Sequence, residues 1–175
     1  MTRTGLLNVV PTIDQFERMG GGPSLGYWTW FLLAQPAPFP ERVLLAEPAA
    51  VLDHVFATWP SHPDAIEAEQ RDAYLQALTP STAAAMCADF RASFHLDRTH
   101  EAKDRAAGRR IACPVLLVTG EDETQLADAP DVWREWAEHL ASARVPGGHF
   151  NPEEASEELS EILADFLDQD EPGWC

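Results

Sequence analysis

The chain has 175 residues, 45% of them hydrophobic, which suits one core-forming domain. Its formal net charge of −17 repels nucleic acid and anionic membrane surfaces, so neither is an expected partner and the acid excess reads as a solvated face. No signal peptide is legible, and no apolar run approaches the roughly 20 residues of a membrane span. The three cysteines, Cys87, Cys113 and Cys175, are widely spaced, which argues for reduced thiols in a cytoplasm and against a disulfide framework or a metal site.

Leu6 to Val10 is a short apolar run ending at Pro11, with the β-branched content of a buried strand. Thr12 stands as N-cap to a helix over Ile13–Met19, which Gly20-Gly-Gly-Pro23 breaks. Ser24 caps a second, aromatic-rich helix to Ala34, and Gln35 to Pro40 is a proline-rich turn. From Glu41 to about Ala107 the spacing is helical, with segments near 49–58, 64–78 and 80–92. Cys113–Thr119 is the next strand, ended by Gly120. Asp131–Leu140 is an amphipathic helix, Ala143–Val145 a short strand, and Pro152–Leu167 a final helix with Glu153 and Glu154 at its positive end. Strands alternating with helices predict an α/β fold with a thin parallel sheet, interrupted by a long helical insertion. The open edge of so thin a sheet invites pairing, including self-association, and predicts that the isolated chain is unstable or aggregates.

His149 lies in Gly147-Gly-His-Phe-Asn-Pro152, a glycine-bearing loop between a strand and a helix. A general base belongs on such a loop, where a neutral imidazole reaches a nucleophile, although on spacing alone an ordinary loop histidine is the more frequent case. His54, His62, His95, His100 and His139 show no metal-ligand spacing, and no cofactor is implied.

Six segments occur in order: Leu7-Asn-Val-Val-Pro-Thr12, Tyr27 to Pro38, Cys87-Ala-Asp-Phe-Arg-Ala92, Ile111-Ala-Cys-Pro114, Asp131-Val-Trp-Arg134 and Gly148-His-Phe-Asn-Pro-Glu-Glu154. Together they resemble the haloacetate (fluoroacetate) dehalogenases over nearly the whole chain. The resemblance implies the C-terminal half of an α/β-hydrolase fold: its last three parallel strands and flanking helices in 1–12 and 108–170, an all-helical cap in 13–107, and a tail in 171–175. It further implies hydrolytic displacement of halide from a 2-haloacid by an aspartate nucleophile, with His149 as the base that hydrolyses the resulting ester. The expected partner is thus a small carboxylate or halogenated acid, once an N-terminal half completes the site.

Three departures from the family pattern matter. The nucleophile elbow Gly-His-Asp-Arg-Gly is absent from these residues, and Gly120-Glu-Asp-Glu-Thr124 lacks the closing glycine that would replace it. Asn8 occupies the position of the acid that orients the histidine, and it cannot stabilise an imidazolium by charge. The halide-binding histidine, tryptophan and tyrosine correspond to Thr29, Trp30 and Phe90, which disfavours fluoride. Glu123, or Asp122 beside it, could replace the missing acid; a solvated acidic loop is the more frequent alternative. The chain thus reads as a hydrolase portion inactive by itself, with a non-catalytic binding or assembly piece, an epoxide hydrolase relative or an esterase as competing readings.

Overall fold

A computed structural model describes residues 3–19, 24–62 and 64–168. The tail at 171–175, Cys175 and the Gly20–Pro23 break lie outside them. Their elements run β1 (Thr4–Leu7), α1 (Thr12–Met19), a 3-10 turn (Ser24–Tyr27), α2 (Trp28–Leu33), α3 (Phe39–Ala46), α4 (Pro48–Thr58), α5 (Ala68–Ala77) and α6 (Pro80–Ala92). A π-helical turn (Ser93–Asp97), α7 (Arg98–Ala106), β2 (Val115–Gly120), a 3-10 turn (Thr124–Leu126), α8 (Ala129–Trp136), β3 (Leu140–Val145), α9 (Asn151–Glu154) and α10 (Ser156–Asp168) complete them.

The chain divides into two compact units, one of 1–10, 57–66 and 105–175, the other of 11–56 and 67–104. The first contains a three-stranded parallel sheet in the order β1-β2-β3, as the alternation of elements predicts. Every residue of β2 is buried, the pattern of a strand covered on both faces. On one face Leu116, Val118, Ala141 and Val145 pack with Ala155, between α9 and α10, and with Leu159 and Phe166 of α10. Elsewhere in this unit Trp133 of α8 donates its indole N–H to the Val9 carbonyl at 2.8 Å.

The helical unit has an aliphatic cluster of Leu33, Leu44, Ala83 and Cys87. Burial pushes the Cys87 thiol up, with Glu41 adding to the effect. Cys87 and Cys113 are both free thiols. No helix among the described residues is long and apolar enough to cross a membrane.

Several element boundaries differ from those expected, each for a tertiary reason. The first strand is Thr4–Leu7 and not Leu6–Val10, because Asn8 turns away with φ 48°. Thr12 does not cap α1; the Glu101 carboxylate does, accepting the N–H groups of Thr12 and Ile13 at 3.1 and 2.6 Å. The helix expected over Asp131–Leu140 stops at Trp136, since Ala137 becomes extended and bridges to Ile111. Arg110 donates to the Arg134 and Ala137 carbonyls and so satisfies the end of α8. The last helix is broken at Ala155, and Gly120 is the last residue of β2, not its terminator. Residues 57–66, expected in the helical insertion, group with the sheet. The cause is a set of hydrogen bonds: His149 donates its backbone N–H to the Trp59 carbonyl at 3.2 Å, and Ser61 donates to Glu154.

Asn8 joins the ends of all three strands. Its backbone N–H continues the ladder to Val118 at 2.9 Å, and its Oδ1 accepts the Gly120 N–H at 2.9 Å. Its Nδ2 donates to the carbonyls of Gly148 and His149 at 2.9 and 2.8 Å. An amide donates and accepts at once in this arrangement, which an ionised carboxylate cannot do. Asn8→Asp is therefore expected to cost roughly 1–3 kcal/mol at neutral pH, because a carboxylate would face two carbonyls. The loss should shrink in acid, where the carboxyl gains a proton to donate. Chemical denaturation measures both effects, and a neutral-pH gain in stability would contradict the assignment. Leu117, fully buried at the centre of β2, gives an independent measure of the core: Leu117→Ala should lower the unfolding free energy by roughly 2–5 kcal/mol.

Candidate functional site

The site is built where loops leave the carboxyl ends of β2 and β3, the usual place for chemistry in a parallel α/β sheet. The two loops are tied by backbone bonds, Glu121 N–H to Val145 carbonyl at 2.9 Å and Asp122 N–H to Gly147 carbonyl at 3.0 Å. Close approach is obligatory here. A Cβ at Gly120 would lie 2.2 Å from the Gly148 carbonyl oxygen, and one at Gly148 would lie 2.7 Å from the Ser61 nitrogen. Glycine is the only residue that leaves room for the crossing backbones.

This crossing brings His149 to Glu123. The imidazole Nδ1 stands 3.6 Å from Glu123 Oε2, an ion-pair distance somewhat longer than a hydrogen bond. Such contacts commonly tighten once a ligand is bound. The Glu123 side chain is only 18% exposed, whereas Asp122 is an exposed residue, so the geometry favours Glu123 of the two candidate acids. The Trp59 ring meets the imidazole edge-on at 4.9 Å, and Phe150 does so at 5.6 Å. With Nδ1 turned to a carboxylate, Nε2 is left to accept a proton.

The Asn8 side chain hydrogen-bonds main chain and not the imidazole. Both of its donated bonds go to main-chain carbonyls, so it shapes the His149 loop and does not orient the ring. Thr29, Trp30 and Phe90 belong to the helical unit. Thr29 is buried in α2, and Trp30 packs edge-on to Phe90 at 5.1 Å and to Phe16 at 5.3 Å. Phe94 extends this aromatic group, and the Arg98 guanidinium lies 4.6 Å from the centre of the Phe16 ring. Among the described residues no three His, Cys, Asp or Glu side chains are grouped to hold a metal ion.

Sequence reasoning missed Trp59, Ser61 and Glu154. Glu154 Oε1 accepts the Ser61 N–H at 2.7 Å, the Ser61 hydroxyl at 2.5 Å and the Gly148 N–H at 3.0 Å; Oε2 accepts the Phe150 N–H at 3.0 Å. Burial raises the Glu154 pKa, but these bonds outweigh it and hold the carboxyl below its usual range. Its contribution to stability is accordingly present above the ordinary carboxylate range and lost as pH falls through the lowered value. The only sequence signal was its helix-start position, which reads as a dipole effect. Gly22-Pro23-Ser24-Leu25-Gly26 has the letters of a serine elbow, but the element before it is helix α1, not the strand an elbow requires.

No family model matches the chain. Over 166 residues it is 30% identical to a fluoroacetate dehalogenase from a Burkholderia species, an overlap of 93% of this chain and 54% of that protein. A Pseudomonas aeruginosa structure provisionally assigned as an epoxide hydrolase shares 32% identity and a TM-score of 0.82, covering 94% of this chain and 56% of its own. A provisionally assigned α/β hydrolase from a Nostoc species shares 29% identity and a TM-score of 0.82, with 95% and 58% covered. The chain spans just over half the length of each of these relatives. The three parallel strands with their flanking helices agree with that likeness, and the chain has the C-terminal part of an α/β-hydrolase fold resembling fluoroacetate dehalogenase.

Proposed function

We propose that this chain supplies the base-bearing part of a hydrolytic dehalogenase site whose nucleophile comes from residues outside these 175. One observation carries the reading: His149 Nδ1 faces the Glu123 carboxylate at 3.6 Å, beyond the ends of parallel strands. An aspartate carboxylate would attack the halogen-bearing carbon of a 2-haloacid. The C–O bond forms as the C–halogen bond breaks, leaving an aspartyl ester and halide. His149 Nε2 then takes a proton from water, whose oxygen adds to the ester carbonyl. Collapse breaks the ester C–O bond, the imidazolium returns its proton to the departing alkoxide, and the 2-hydroxyacid leaves as the aspartate is restored. Glu123 fixes the Nδ1–H tautomer and offsets the imidazolium charge as it forms.

Trp30 can donate its indole N–H to a departing halide, while Thr29 and Phe90 contribute less donation than histidine and tyrosine would. Fluoride holds its hydration most strongly, so chloro- and bromoacetate suit this chain better than fluoroacetate. A second reading, a binding or assembly module, draws on the sheet: among the described residues β1 pairs with β2 alone, leaving an edge for another strand or a second copy.

Translating the DNA upstream of the Met1 codon in all forward frames separates these readings. An in-frame Gly-x-Asp-x-Gly elbow supports the enzyme, and its absence supports the module. With that segment expressed, halide release should follow bromo- and chloroacetate over fluoroacetate. His149→Asn should retain a single-turnover release of halide and accumulate the ester, visible as a mass increase of the protein. Glu123→Gln should slow turnover by roughly 10²–10⁴-fold, and Asp122→Asn should change it little. Full activity in Glu123→Gln would remove that residue from the mechanism.

A further inference from the structure

We infer that Glu154 and Ser61 form a clamp that positions His149, a role resting on His149 being the base. The carboxylate grips the chain on both sides of the histidine, through the N–H groups of Gly148 and Phe150 at 3.0 Å each. The intervening His149 N–H is taken by the Trp59 carbonyl at 3.2 Å. Three consecutive N–H groups are thereby fixed from outside their own loop. Two of the acceptors are linked through Ser61, which sends both its N–H and its hydroxyl to Glu154 Oε1 and lies two residues beyond Trp59. The segment that supplies the Trp59 ring, set perpendicular to the imidazole, is therefore locked to the carboxylate that holds the imidazole's backbone.

The bland account is that Glu154 merely caps α9. That helix has four residues, and only the Phe150 bond serves its start. The bonds to Ser61, 93 positions earlier in the chain, and to Gly148 are unrelated to capping. Four donors converge on one carboxylate, and the net effect is to keep it ionised at neutral pH. Neither oxygen bonds the imidazole, so Glu154 is a positioning residue.

Two readouts test this. In ¹⁵N-histidine-labelled protein the His149 imidazole signals are identified by their loss in His149→Asn. In Glu154→Gln, whose amide would direct N–H groups at N–H donors, these signals should shift or broaden; Ser61→Ala should give a smaller change of the same kind. The two substitutions should combine non-additively, since they remove one linkage. In the enzyme completed by its nucleophile segment, both should lower kcat on the order of 10–10²-fold with KM nearly unchanged, the pattern of a displaced catalytic group. A purely structural role would lower the melting temperature and leave the imidazole signals of the folded protein in place. That result, in Ser61→Ala if Glu154→Gln does not fold, overturns the clamp. If His149→Asn proves fully active while the signals still move, the base assignment fails and the clamp stands.

Discussion

The sheet unit depends on one side chain whose donors and acceptors are spent on main chain. Asn8 follows β1, accepts from the last residue of β2 and donates to the loop after β3. Its φ of 48° is a conformation that asparagine tolerates better than most residues. In it the amide projects across the strand ends where apolar side chains could not satisfy the exposed carbonyls. Parallel strands give no hairpin to align their ends, so a long-range tie is what brings the loops of β2 and β3 to a common place. The meeting of His149 with Glu123 is a consequence of that tie.

The helical unit solves a similar problem with charge. Arg91 of α6 donates to the Glu41 carboxylate at 2.8 Å and to the Gln35 carbonyl at 3.2 Å, fastening the proline-rich turn and α3 to α6. The Glu41 carboxyl sits below its usual range, chiefly through a backbone hydrogen bond with help from Arg91. Arg71 pairs with Asp53 through two bonds of 2.6 and 3.0 Å, joining α5 to α4. Because the Asp53 side chain is half exposed, solvent screens this pair, and it sets register more than stability. The interior itself is divided between the aliphatic cluster around Leu44 and the aromatic group around Phe16 and Trp30.

Much of the fold was legible because local pattern and tertiary outcome agree. The unbroken apolar run Val115–Val118 was read as strand, and it forms the middle strand of the three described. Pattern failed where a distant partner decides. Ala137 and Leu140 continue the helical spacing of α8, yet Ile111 draws Ala137 into an extended bridge. Thr12 has the chemistry of a cap, but Glu101, 89 positions later, takes its N–H. At the site, the motif around His149 was visible, as was the acidic loop. The preference for Glu123 over Asp122 needed burial, which alternates with a backbone turn that no spacing rule reports. Trp59 and Ser61 were hidden because their segment read as part of the helical insertion.

The identities of the acids and amides follow from counting hydrogen-bond groups around each position. Asn8 meets two carbonyls and one N–H through its side chain, which an amide satisfies and a carboxylate does not. Glu154 meets three N–H groups and one hydroxyl, which a carboxylate satisfies and an amide does not. Glu123 has the imidazole as its counterpart, where a negative charge matters more than the number of bonds. An asparagine at position 8 therefore need not signal decay of the site. Glu123 of the next loop faces the imidazole, while the Asn8 amide is spent on main chain and holds the loops together. The apparent loss at one strand end and the acid at the next are two halves of one arrangement.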